Sequence, residues 1–341
     1  MQRRAKILMS LISFGILFLP ITCSPLLATE KVRIGITQIV DHPALNAVRD
    51  GFIDAMAEAG YVEGKNVVYD IQNAQGDIAT ASTIARKFVS EKVDLIFSIA
   101  TPTSQAAVNA TTTIPIVFSA VTDPVGAGLV KSLESSGNNV TGMSDLTPVE
   151  RQIELIKAIL PKAKAVGTLY NAAEANSVLT NELAKKACEK LGMRLVEATV
   201  SSSADVFLAA QSLVGRCDAI YVSTDNATVS ALDAVVQVTN KNRIPLVLAD
   251  PTTVNKGALL ALGFNYYAHG RETAPIAIKV LKGTDPSDIP VKFATELEMW
   301  VNLKTAKEIG FSTSSLIDTC KEFADKLKEE GGKVEIKIVG E

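Results

Sequence analysis

The chain has 341 residues, 47% of them hydrophobic and 21% charged, with a formal net charge of −3. That length allows two ordinary domains and a substantial core. A mildly acidic chain without clustered Lys and Arg is a poor nucleic-acid binder, because phosphate contacts need concentrated positive charge.

The N-terminus reads as a separate object. Arg3, Arg4 and Lys6 make a basic start, and residues 7–19 form an apolar run without a charge. The run falls short of the roughly 20 residues that span a bilayer as a helix. A basic start, a short apolar run and small residues predict a secretory signal over 1–28, cleaved near Ala28. Cys23, just after the run, offers the alternative of lipid anchoring at the membrane. Loss of 1–28 removes three positive charges and no negative ones, which takes the net charge from −3 to −6.

Ile34-Gly35-Ile36 reads as a strand, and Ala44, Ala47, Val48 and Phe52 are spaced to line one face of a helix. Between them lie Gln38, Asp41, His42 and Pro43. The helix ends at Gly60, a residue that tolerates the positive φ of a helix C-terminus. A strand (66–72), a helix (77–91), the strand "VDLIFSI", the loop "ATPTSQ", a helix, the strand "IPIVFSA" and "TDP" follow. The same order then recurs. A helix ends at Gly192, and after it come the strand "RLVEATV", a helix, the strand "CDAIYVS", the loop "TDNATV", a helix, the strand "IPLVLA" and "DP".

Short apolar strands alternating with amphipathic helices predict parallel sheets covered on both faces. The fold class is therefore α/β, with two similar doubly wound parallel-sheet lobes joined by several crossover strands. The expected division is 31–146 plus 254–290 for lobe 1, and 147–253 plus 291–325 for lobe 2. A C-terminal tail follows at 326–341. The strand at 257–264 and the helix after Tyr267 are expected to return to the first lobe. Crossings are expected near 145–148, 250–255 and 288–298, a multiple connection that permits hinge closure.

Enzyme chemistry is missing from the pattern. "GYVEGKN" joins a helix to a strand and lacks the spacing of a phosphate loop, and "DPVGAGLV" lacks the third glycine of a dinucleotide fingerprint. There is no G-x-S-x-G elbow and no H-E-x-x-H. His42 and His269 are the only histidines. Cys188, Cys217 and Cys320 make no disulfide framework and no CxxC site, and a Cys188–Cys217 pair is left open. No cofactor, no metal and no catalytic residue are expected.

In open α/β sheets ligands sit outside the carboxyl ends of the strands. Two facing lobes would line one cleft with the loops 37–43, 100–104, 119–125, 170–177, 223–227 and 249–252. These loops are rich in short polar side chains and nearly free of Lys and Arg. Thr101, Thr103 and Ser104, at a helix start, suit a carboxylate. Asp41, Asp123, Asp225 and Asp250 suit an ammonium or, individually, a helix N-cap. Asp250 is the preferred ammonium partner and Asp225 the alternative. Gln38, Thr122, Asn171, Asn176 and Asn226 would add neutral hydrogen bonds. Ile39-Val40, with Phe264 or Tyr266, would receive an apolar side chain. An anion pocket on one lobe and a carboxylate on the other suit a zwitterion, that is, a free amino acid. The aromatic residues leave a sugar open.

The stretches "YVEGKNV…QNAQGD", "IPIVFSAVTDPVGAGLV", "LYNAAEANSV" and "YVSTDN" together resemble the solute-binding proteins of ABC transporters, in particular the branch associated with tryptophan and phenylalanine. The resemblance covers about 31–312. It implies a periplasmic-binding-protein-like type I fold and capture of an amino acid, aromatic by preference, through lobe closure. It also implies a monomer in the periplasm that delivers its ligand to a membrane permease. A sensor presenting ligand to a membrane receptor has the same sequence pattern.

Overall fold

The computed structural model describes residues 31–340. The expected signal segment 1–28, with Cys23, lies outside them. Strand β1 (Val32–Gln38) carries the Ile34 and Ile36 of the opening motif, both without solvent exposure. Helix α1 (Pro43–Glu58) buries Ala44, Val48 and Phe52 on the predicted face. Then come β2 (Val67–Asn73), α2 (Ile78–Ser90), β3 (Leu95–Ile99), α3 (Thr101–Ala110), β4 (Ile116–Val121) and β5 (Val140–Ser144). All pair in parallel, and the five strands lie in the order β5-β4-β3-β1-β2.

The second repeat runs α4 (Val149–Ile159), β6 (Ala165–Asn171), α5 (Ala175–Lys190), β7 (Arg194–Val200), α6 (Val206–Leu213) and β8 (Ala219–Val222). It continues with α7 (Asn226–Ser230), α8 (Leu232–Lys241), β9 (Leu246–Leu248) and β10 (Leu260–Phe264). These strands are ordered β10-β9-β8-β6-β7, the arrangement of the first lobe repeated strand for strand. Apolar residues pack on both faces of this sheet as two separate clusters.

Strand β10 corrects an expectation. Rather than returning to the first lobe, it pairs in parallel with β9 and antiparallel with a later strand of the second sheet. Its five residues are fully buried, and Gly263 lies against the Ala249 carbonyl so closely that a Cβ would sit 1.9 Å from the oxygen. The second crossing therefore falls at Asn265, not at 250–255. Helix α9 (Tyr266–Leu281) does return, packing on α1 of the first lobe. The short β11 (Lys292–Phe293) extends the first sheet beside β5.

The chain crosses a third time into β12 (Glu296–Asn302), α10 (Leu303–Ile309), α11 (Thr313–Glu329) and β13 (Lys333–Val339). The segment read as a tail is thus part of the second lobe. Strand β13 pairs with β12 over seven residues, and Phe323, Ala324 and Leu327 of α11 are buried against that lobe. Among the described residues no helix is long and apolar enough to cross a membrane.

Candidate functional site

The carboxyl ends of the parallel strands of both lobes converge on one cavity. Its walls come from the exits of seven strands. They are His42, Ala44 and Leu45 after β1, Ala120 and Thr122 at the end of β4, Asp145 after β5, and Asn176 after β6. Thr224, Asn226 and Val229 follow β8, Asp250 follows β9, and Tyr266 follows β10. The cavity as it stands has only about 20 Å³ of space for solvent, far below the roughly 300–1,000 Å³ of occupied small-molecule sites, so a ligand enters only if its walls part.

One end of the cavity holds two carboxyls. Asp145 accepts from the Tyr266 hydroxyl at 2.9 Å and from Thr122 Oγ1 at 3.2 Å. Asp250 accepts from the Thr252 backbone N–H at 2.8 Å and starts a short 3-10 turn. Burial pushes Asp145 up to about 6 despite the Tyr266 and Thr122 bonds, and the nearby Asp250 charge adds to the rise. Burial also pushes Asp250 up to about 6. The cavity wall has no Lys or Arg among the described residues. A buried carboxylate without a counter-charge is costly, and a cationic group placed between these two would offset that cost.

The other end is neutral and crosses between lobes. His42 caps α1, its Nδ1 accepting from the Leu45 N–H at 3.4 Å. The ring proton then belongs on Nε2, and Asn226 is close enough to the ring to raise its pKa. Burial takes the His42 imidazole down to about 4, outweighing the Asn226 bond. Asn226 Nδ2 in turn donates to Glu174, a buried carboxyl raised to about 7 by burial and then by the Asp225 charge. Asn176 Nδ2 donates to the Thr224 carbonyl at 3.0 Å and to Ser177 Oγ at 3.3 Å. Asn176 Oδ1 and Thr224 Oγ1 are buried without a partner.

Of the expected site residues, Thr122, Asn176, Asn226, Asp250 and Tyr266 meet at this cavity. The others do not line it. Asp225 is fully buried and accepts from the N–H of Thr228 at 2.7 Å and of Asn171 at 2.6 Å, and from Ser177 Oγ at 2.7 Å. It caps α7 and does not line the cavity. Asp123 accepts from the Val125 and Gly126 N–H groups of its own turn. Asp41 is exposed and accepts from Asn46 Nδ2.

Gln38 Nε2 is spent on the Val40 carbonyl and Asn46 Oδ1, and Asn171 bonds within its own turn and to Glu174. Thr103 and Ser104 donate back to the Ile99 and Ala100 carbonyls, which leaves Thr101 Oγ1 as the unpartnered hydroxyl of that helix start. Ile39 belongs to the first-lobe core, and Phe264 lines a separate groove beside the second crossing. The apolar wall is instead Ala44, Leu45, Ala120 and Val229. Ala120 (φ 54) and Ala100 (φ 82) hold backbone conformations that favour glycine, side by side at the exits of β4 and β3. Strain of this kind collects at ligand sites.

Asp145, Glu174 and Thr224 are absent from the expected set. Asp145 stands just past the fifth strand of its repeat, as Asp250 stands just past the fourth. That shared place was the available signal. Nothing in the sequence separates Glu174 from a surface acid.

A family model described as "ABC transporter substrate binding protein" matches residues 33–322. The tyrosine-binding protein of Clostridioides difficile is 45% identical over 286 residues, which span 84% of this chain and 83% of that protein. A Streptococcus pneumonia ABC domain solved in complex with L-Trp is 33% identical with a TM-score of 0.80, over 90% of this chain and 100% of that one. A substrate-binding protein of Clostridium difficile with adhesive properties, solved ligand-free and open, is 41% identical with a TM-score of 0.64, over 90% and 99%.

Proposed function

The chain belongs to the family of ABC transporter substrate-binding proteins, and on that premise we propose that it captures a free aromatic amino acid, closes over it and delivers it to a membrane permease. The observation that carries this reading is the pair Asp145 and Asp250, two buried carboxyls facing one cavity with no cation on its wall. The ligand's α-ammonium takes that place. The ring packs on Leu45, Ala120 and Val229.

Closure is supported by the pattern of likeness. The chain is more similar in sequence to the open, ligand-free relative, yet more similar in shape to the L-Trp complex. His42 of the first lobe and Asn226 of the second line the same cavity, within reach of each other. The family's members work outside the cytoplasm. The reading here is a periplasmic monomer, with anchoring through Cys23 as the alternative.

Thermal-shift screening of the mature chain against amino acids and sugars tests the reading. A ligand at 100 times its dissociation constant stabilises by about 2.7 kcal/mol, so an aromatic amino acid should raise the melting temperature clearly. A shift with sugars alone would refute the assignment.

A further inference from the structure

We propose that Asn176 and Thr224 form a hydroxyl-reading end of the cavity, which makes the protein selective for tyrosine over phenylalanine. The inference rests on the aromatic amino-acid reading above and adds which side chain is preferred and what recognises it.

The two side chains offer complementary unmet bonds. Asn176 Nδ2 has two acceptors, the Thr224 carbonyl and Ser177 Oγ. Flipping the amide would set its oxygen against the Thr224 carbonyl, so Oδ1 is fixed as an unpartnered acceptor. Asn176 is 4% exposed, so bulk solvent has little access to that oxygen. The Thr224 hydroxyl beside it is likewise unpartnered and can donate. The group that satisfies both is one that donates once and accepts once. A phenolic hydroxyl does this, giving its proton to Asn176 Oδ1 and accepting from Thr224 Oγ1. An indole N–H satisfies only Asn176. A phenyl ring satisfies neither and leaves two buried polar atoms without partners, which is the penalty that lets hydrogen-bonding sites reject apolar analogues.

The placement fits a tyrosine lying across the strand ends. Asp250 follows β9, and Asn176 lies in the first turn of α5 after β6, with β8 between those strands in the sheet, so the two ends of the cavity stand on different strand exits. The reversed ligand is disfavoured. Its hydroxyl would occupy the two-carboxyl end without neutralising it.

Calorimetric titration of the wild-type protein and of Thr224→Val with L-tyrosine, L-tryptophan and L-phenylalanine tests the assignment. The substitution breaks no side-chain hydrogen bond, because Thr224 Oγ1 makes none, and melting temperatures measured alongside verify the fold. The wild type should bind tyrosine roughly ten- to a hundredfold tighter than phenylalanine. Thr224→Val should weaken tyrosine about tenfold and leave tryptophan and phenylalanine unchanged. Equal wild-type affinity for tyrosine and phenylalanine would overturn the inference and leave the aromatic reading standing. So would a Thr224→Val effect shared by all three ligands, since that would put the common amino-acid portion at this end. A wild type that binds none of the three overturns both.

Discussion

Asp225 and Asp250 look alike in the sequence, each an acid at a strand exit before a helical turn. They differ in what their oxygens do. Three donors from the second lobe hold Asp225 away from the cavity, whereas Asp250 caps one turn and still faces it. Asp225→Ala should therefore cost about 3 kcal/mol of fold stability by stranding buried donors, with ligand affinity little changed. Asp250→Asn keeps a good cap and removes the charge. It should leave the melting temperature of the free protein nearly intact and weaken binding at least about 30-fold, the lower end for truncating a buried charge pair. Calorimetry paired with denaturation curves checks both.

The raised carboxyls give a pH signature. Asp145 and Asp250 titrate near 6 in the free protein, and a protonated carboxyl cannot hold an ammonium. Affinity should be level at pH 7–8 and fall as the pH drops below about 6. Linkage requires the ligand to expel protons there, because a bound ammonium lowers the carboxyl pKa values. Binding enthalpies measured at pH 6 in buffers of different ionisation heat should report proton release. Proton uptake, or affinity unchanged at pH 5, would contradict the ammonium assignment. Composition exposed the cation-poor loops, but only side-chain geometry separates an acid held away from the cavity from one that faces it. That is why Asp250 was legible and Asp145 was not.

At the level of elements, the repeat carried more information than its first four strands. Followed one step further, it pairs "NNVTGMS" with "GALLALGF" and puts β10 in the second lobe, where the structure has it. An apolar run by itself reveals burial, not which sheet it joins. The C-terminal β13 was obscured for another reason: Lys333, Glu335 and Lys337 alternate along an edge strand and read as solvated. The junction of α1 and α9 was unreadable because it depends on backbone contact. A Cβ at Gly270 would lie 2.0 Å from the Val48 carbonyl oxygen, and one at Gly51 would lie 2.1 Å from that of Tyr267. On helix propensity alone Gly270→Ala should gain up to about 1 kcal/mol. Forcing the helices apart should instead cost about 1–3 kcal/mol, so urea denaturation is expected to show net loss. A stabilised variant would mean that the two helices pack less closely.

For the whole molecule, three crossings at residues 144–149, 264–266 and 293–296 tie the lobes. Asp145 and Tyr266 sit on the crossings themselves, which puts the proposed ammonium site there. His42 and Asn226 line the cavity from opposite lobes. The central claim is that the two buried carboxyls recognise an amino acid through its ammonium. The most direct measurement compares binding of L-tyrosine with binding of its des-amino analogue, 3-(4-hydroxyphenyl)propionate, by calorimetry at pH 7.5. The analogue keeps the ring, the hydroxyl and the carboxylate. The account predicts that L-tyrosine binds and the analogue is weaker by at least about 30-fold. Equal binding of the two would contradict it.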